Sequence, residues 1–178
     1  LRPYSAYVLD NWYRLDKSGG ISLDNIAMHQ NFLGGQDENW FVLVHVAIEA
    51  EAGRALQLAT ELIEAAANHD AAKVERLLTD MNRVWDAMNA HFDRMPERCD
   101  PYIYYQRVRP YIHGWKNNPA LPEGLIYEGV VKYAGRPQAF RGQTGSQSSI
   151  VPAMDGLFQV VHESDPLREF LDELHQYR

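Results

Sequence analysis

One histidine interrupts an apolar helical run. In WFVLVHVAI, residues 40–48, His45 has Phe41 four residues before it and Ile48 three after it. That spacing puts all three on one helix face. An imidazole in such a place has two readings. It is a core histidine, satisfied by Glu49 one turn on or by a backbone carbonyl, or it faces a ligand pocket. Arg109 is the second candidate. It lies among Tyr104, Tyr105 and Tyr111 and beside Pro110, where a guanidinium can clamp a carboxylate through paired hydrogen bonds or simply sit as a solvated or ion-paired helix arginine. The third is FRGQTGSQSS, residues 140–149. Glycines followed by small hydroxyl residues ahead of a helix can bring backbone N–H groups against a ligand, or can only cap the helix.

Other chemistries fit poorly. The single cysteine, Cys99, abuts Asp100 and Pro101 with no activating motif. The seven histidines (29, 45, 69, 91, 113, 162 and 175) show no HExxH or other zinc spacing, and neither a GxSxG elbow nor a Glu-x-x-His pair occurs. Seventeen basic against 24 acidic residues leave a net charge of −7. No basic run exists for phosphate contacts, so nucleic acid is excluded as a partner. The longest apolar stretch is far short of the roughly 20 residues of a membrane span. One cysteine permits no internal disulfide and fits a reducing, cytoplasmic setting.

The elements that must position these residues are mainly helical. Tyr4, Tyr7, Val8, Asn11 and Trp12 mark a first helix, ended by the turn cluster Lys17–Gly20. Residues 21–36 read as irregular linker. Asp37 is placed as the N-cap of a helix of about 30 residues with Phe41, Val44, Ile48, Ala52, Ala55, Ala59, Leu62 and Ala66 on one face. Asp70 caps a third helix that ends at Met95-Pro96. Asp100-Pro101 starts a fourth, which Pro110 should kink and Gly114 stop. Residues 115–149 form one long Gly-rich loop with room for a short strand at 125–131. Ser148 or Ser149 caps a helix with Val151, Met154, Leu157, Phe158 and Val161 on one face, and Ser164-Asp165-Pro166 starts a last one carrying Leu167 to Leu174. The expectation is an all-α fold, a single helical domain over 1–178. The chain opens mid-helix without an initiator Met, which predicts a piece of a larger protein.

Four blocks in this order resemble the indoleamine 2,3-dioxygenase family: RPYIHGWKNNP at 109–119, LIYEG at 125–129, GQTGSQSS at 142–149, and Asp155. Tyr4 to Trp12 and Phe41 to Glu49 are similar to the family's earlier pocket segments. The resemblance implies an all-α haem protein. Its members bind haem b and use O2 to cleave the indole C2–C3 bond of tryptophan, giving N-formylkynurenine, the entry to the kynurenine pathway. By position, Tyr4, Tyr7 and Val8 resemble the wall around the indole, and Phe41 the aromatic beside the substrate. Phe92 and Val151 resemble apolar haem contacts. Tyr104 and Arg109 resemble the pair at the amino-acid end of the substrate, with Arg109 on the carboxylate and Ile112 beside it. Gly142, Gln143, Thr144 and Gly145 resemble the loop over haem edge and substrate.

Two departures follow from the same resemblance. His45 stands where the best-known vertebrate members have serine. It resembles the distal histidine of the tryptophan 2,3-dioxygenases and can meet the indole N–H, O2 or iron. Tyr104 stands where phenylalanine is usual. The family's proximal haem-ligating histidine lies beyond the point matching Arg178, so the metal ligand is not among these residues. The expected function is a haem-dependent indole dioxygenase acting on a small-molecule indole. The alternatives are a haem monooxygenase of secondary metabolism that adds one oxygen, and a non-catalytic haem or indole-binding module.

Overall fold

A computed structural model of the chain describes residues 4–112, 114–140, 145–162 and 169. The first helix, α1, covers only Tyr4–Val8. The expected continuation to Trp12 is replaced by strand β1, Trp12–Arg14, paired antiparallel with β2, Ile26–Met28, in the register Trp12↔Met28 and Arg14↔Ile26. Asn11 explains the break. Its side chain donates to the Gln30 carbonyl at 2.7 Å and accepts from the Gln30 N–H at 3.0 Å, an alternative to helical bonding that asparagine offers readily. Asp16 and Asn25 close the connection: the Asp16 N–H donates to Asn25 Oδ1 at 2.7 Å, and Asn25 Nδ2 returns to the Asp16 carbonyl at 3.0 Å. The Lys17–Gly20 cluster is thus a turn, as expected, inside a hairpin that was not.

Helix α2, Gln36–Ala67, is the longest element. Asp37 is not its N-cap. Gly35 occupies that position with φ 106° and offers no side-chain bond. Asp37, one turn position further in, instead accepts from the Asp100 N–H at 2.8 Å and ties α2 to the start of a later helix. The carboxylate of Glu38 takes over the end. It accepts from the N–H groups of Phe32, Leu33 and Gly34 at 2.6, 2.9 and 2.8 Å, at the position where an acidic side chain reaches back over a helix start and meets the positive end of its dipole.

Helix α3, Ala71–Asp93, returns antiparallel along α2 after a three-residue turn, capped as expected by Asp70, which accepts from the Lys73 N–H at 3.0 Å. Ala52, Ala55 and Ala65 are buried at the contact and let the helices approach closely. Leu62, Leu77, Met81, Val84 and Met88 fill the interface together with Ile150 and Met154 of α6, Ile150–Phe158. A second core cluster joins Tyr4, Tyr7 and Val8 to Ile26, Trp40, Val44 and Cys99. Trp40 donates to the Arg94 carbonyl at 2.8 Å, and the guanidiniums of Arg94 and Arg98 lie 5.3 and 4.7 Å from its ring centre, within cation–π range.

Asp100 caps α4, Pro101–Ile103, through the N–H groups of Tyr102 and Ile103. The kink expected at Pro110 is absorbed upstream. Residues Tyr104–Val108 form a π-helical turn, closed by the Arg109 N–H on the Tyr104 carbonyl, and α5, Arg109–Ile112, continues from it. Widening the turn accommodates a proline that has no N–H to give. The strand expected at 125–131 shrinks to one bridge, Leu125↔Gln138. Gly124, at φ 89°, makes it possible, since a Cβ there would lie 2.1 Å from the Gln138 carbonyl oxygen. At the other end Gly129 turns the chain with φ 76°. On α6, Ser149 caps without a side-chain bond, and Val161, expected on its apolar face, lies past the helix end and is exposed. The expected helix after Pro166 falls outside the described residues.

The fold is therefore mostly helical with one two-stranded sheet. Among the described residues no helix is long and apolar enough to cross a membrane. Replacing Glu38 by alanine removes the acceptor of three part-buried N–H groups at once. The Glu38→Ala protein is expected to lose about 3 kcal/mol or more of unfolding free energy, measured by urea titration.

Candidate functional site

The first half of α2 presents Phe41 and His45 to α1 on one side and to the π turn on the other. Phe41 stacks on Tyr104 with ring centres 4.3 Å apart and touches the His45 ring at 4.5 Å. Tyr4 meets His45 edge-on at 6.2 Å. Glu49 does not bond the histidine. It accepts from the Tyr4 hydroxyl at 2.8 Å. The partner of His45 is the backbone carbonyl of Phe41, 2.8 Å from Nδ1. A carbonyl oxygen only accepts, so Nδ1 carries the proton and Nε2 keeps its lone pair. Burial pushes the pKa of His45 below its ordinary value, against the opposing influence of the Phe41 carbonyl and Glu49, so the neutral ring is the working form.

Gly145 lies against that free nitrogen. A Cβ at 145 would stand 3.2 Å from His45 Nε2, so the glycine leaves the approach open. The Arg109 guanidinium lies beside the Tyr104 hydroxyl, and burial raises the pKa of Tyr104 in spite of that arginine. Tyr7 and Val8 are buried beside Tyr4, and burial raises the pKa of Tyr7 as well. Ile112 is buried and joins Phe41 and Tyr7 in lining a cavity of about 180 Å³.

The structure thus brings Tyr4, Tyr7, Val8, Phe41, His45, Tyr104, Arg109, Ile112 and Gly145 into one neighbourhood. Phe92 and Val151 do not join it as buried groups. They are 58% and 54% exposed, apolar surface that a flat apolar group can cover. Gly142, Gln143 and Thr144 lie outside the described residues. Sequence reasoning missed the Tyr4–Glu49 pair, whose members are 45 residues apart, and the buried Gln147. Among the described residues no three histidine, cysteine, aspartate or glutamate side chains converge on a metal position.

Neutral imidazole, guanidinium and stacked aromatics, with a cavity of ring size next to Phe41, suit a small aromatic molecule with an anionic end, carried by a helical frame. Comparison with known proteins sharpens this. All of residues 1–178 match the family model described as indoleamine 2,3-dioxygenase. The chain belongs to the indoleamine 2,3-dioxygenase family, whose enzymes depend on haem and use O2. It is 32% identical over 176 residues to indoleamine 2,3-dioxygenase 1 of Rattus norvegicus, covering 98% of this chain and 42% of the rat protein. It is also 32% identical to an indoleamine 2,3-dioxygenase of Aspergillus nanangensis, over 87% of this chain and 38% of that one. A myoglobin of Haliotis madaka is likewise 32% identical, over 86% and 40%. The chain spans about two fifths of the length of these curated relatives.

The residues present fit one side of a haem site. Nε2 of His45 is unprotonated, the position facing it is a glycine, and Phe92 and Val151 offer exposed apolar faces. The histidine also sets a pH dependence. Because folding lowers its pKa, the unfolded chain takes up the proton first as pH falls below the ordinary 6.5. Its contribution to stability is complete above that pH and is lost progressively below it. Stability measured by urea titration between pH 7 and pH 5 should fall less steeply in a His45→Phe protein than in the unaltered one.

Proposed function

We propose that this chain forms the distal part of a haem-dependent dioxygenase that opens the C2–C3 bond of tryptophan or a related indole, giving an N-formylkynurenine-type product. The whole is read as one helical haem domain acting in the cytoplasm on a small-molecule indole. The observation that carries this is the pairing, across one Phe41 ring, of an acceptor nitrogen on His45 with the Tyr104–Arg109 cation. An amino acid with an indole side chain has the complementary groups: a ring N–H donor at one end and a carboxylate at the other.

Haem, when bound, supplies the oxygen chemistry. The chain's own residues do the rest. Phe41 stacks the indole, while Tyr4 and Val8 close the wall behind it. His45 accepts the indole N–H at Nε2, since with Nδ1 already donating to Phe41 it has no second proton to offer an oxygen atom. Arg109 exchanges the Tyr104 hydroxyl for the substrate carboxylate, a charged acceptor that makes the stronger bond. Phe92, Val151 and Gly145 are assigned to the haem side, and Gly142, Gln143 and Thr144 to the loop over its edge.

The test is an absorption spectrum of the haem-loaded protein, oxidised and reduced, with and without L-tryptophan. A Soret band that moves on adding tryptophan, with a product carrying two added oxygens, is expected; one added oxygen would assign a monooxygenase. The relatedness to a protein named myoglobin favours a second reading, a haem module that binds without turnover. Soret changes without product would support that one. Arg109→Ala should weaken tryptophan binding roughly ten- to a hundredfold, the worth of a charge-assisted bond, with the affinity for indole, which has no carboxylate, left nearly as it was.

A further inference from the structure

The cavity of about 180 Å³ next to Phe41 has two unlike ends. Its inner wall is buried and comes from α1, α2, the π turn and α5, through Tyr7, Glu38, Val42, Val108 and Ile112. Its outer wall is the exposed segment 30–32. There the Phe32 ring stacks on Tyr111 of α5, with centres 6.2 Å apart and planes 15° from parallel. Both rings are about half exposed. The main chain at Phe32 is pinned, because Glu38 holds the N–H groups of Phe32, Leu33 and Gly34. Parting the stack is therefore a side-chain rotation, a fast motion for exposed residues. The inner end has almost nothing polar to offer. The Tyr7 hydroxyl finds no hydrogen-bond partner there, Asn11 is engaged with the main chain of Gln30, and Glu38 with its three N–H groups. A buried water needs about two to four polar partners, whereas a dry apolar cavity of about 150 Å³ takes up benzene or xenon. An amino acid passing this way would lose the hydration of both its charges and bring its carboxylate past that of Glu38, which is costly. A small neutral apolar molecule pays neither penalty.

We propose that this cavity is the route by which O2 reaches the indole site, separate from the entry of the indole itself, with Phe32 and Tyr111 closing its outer end. The proposal rests on the dioxygenase reading above. Phe41 and Ile112 belong both to the cavity and to the indole site, so the two spaces adjoin. A route of its own lets O2 arrive after the indole has taken its place. Val42 stands on the inner wall and is 5% exposed, so a larger side chain at that position takes up the space.

The test uses the haem-loaded protein and two probes. Xenon NMR reports the cavity itself. Flash photolysis of the CO complex of the reduced protein reports how fast a diatomic molecule travels in from solvent. Xenon is expected to bind, and Val42→Phe to abolish its binding and slow CO recombination. Phe32→Ala and Tyr111→Ala are each expected to speed bimolecular CO recombination roughly two- to tenfold, the worth of one aromatic stack. The double variant should go no faster than either single one, since one missing ring already parts the pair. The association rate of L-tryptophan, followed by stopped flow, stays the same in all of them. Absence of xenon binding, or CO rates indifferent to all three positions, overturns the route and leaves the dioxygenase reading standing. A tryptophan rate that rises together with the CO rate also overturns it, because one entrance then serves both. Failure to take up haem overturns the dioxygenase reading and the route with it. Phe32 and Tyr111 are half exposed, so their variants decide the matter even if Val42→Phe does not fold.

Discussion

A single buried carboxylate sets the phase of the longest helix. Glu38 is 2% exposed and holds the N–H groups of three successive residues ahead of α2. In doing so it turns the incoming segment back over the helix end and fixes which side of α2 faces which neighbour. Two residues further on, Trp40 is locked between Arg94 and Arg98. The residue after that, Phe41, is turned by the same helical phase toward the π turn, and one turn later comes His45. A start shifted by one residue would rotate all of these by about 100°, and the aromatic stack with Tyr104 would not form. The most charged interaction in this part of the core is therefore also the one on which the site's geometry depends.

From that fixed helix the site follows by local rules. His45 uses the carbonyl of its own preceding turn to hold Nδ1, which settles its tautomer without recruiting a second side chain. Glu49, the obvious acidic neighbour, is occupied by the Tyr4 hydroxyl. This matters chemically. A carboxylate on Nδ1 would favour the imidazolium far more than a carbonyl does, and an imidazolium has no lone pair to offer. Routing Glu49 to Tyr4 thus anchors α1, while burial outweighs the remaining influence of Glu49 and keeps the histidine neutral.

Much of this was legible in the sequence, and the rest was hidden for identifiable reasons. The α2–α3 pair is long, strongly periodic and capped by Asp70 through the expected bond, so its existence follows from pattern alone. The β1–β2 hairpin consists of two three-residue strands, too short for any period to register, and is held by Asn11, Asp16 and Asn25 side chains whose partners lie 9 to 19 residues away. Asp37 and Glu38 are adjacent acids, and only the path of the preceding loop decides which one closes the helix. His45 stood out because one polar residue in an apolar run is conspicuous. Arg109 became a site residue through its resemblance to a family, not through its spacing. Phe92 and Val151 rest on that resemblance alone, and both remain on the surface of the described residues.

The π turn shows how a sequence constraint becomes a functional geometry. Pro110 cannot donate a backbone hydrogen bond, and a regular helix through it would leave a carbonyl of the preceding turn without its partner. Widening Tyr104–Val108 by one residue per turn shifts the bonding so that Arg109, the last residue before the proline, donates its N–H to the Tyr104 carbonyl. The same five-residue offset brings the side chains of Tyr104 and Arg109 to the same side of the helix, the guanidinium near the hydroxyl. In a regular α-helix, residues five apart diverge by about 140° around the axis. The proline that reads in sequence as a break is thus compatible with the one backbone distortion that pairs these two side chains, and wide turns of this kind recur at functional sites.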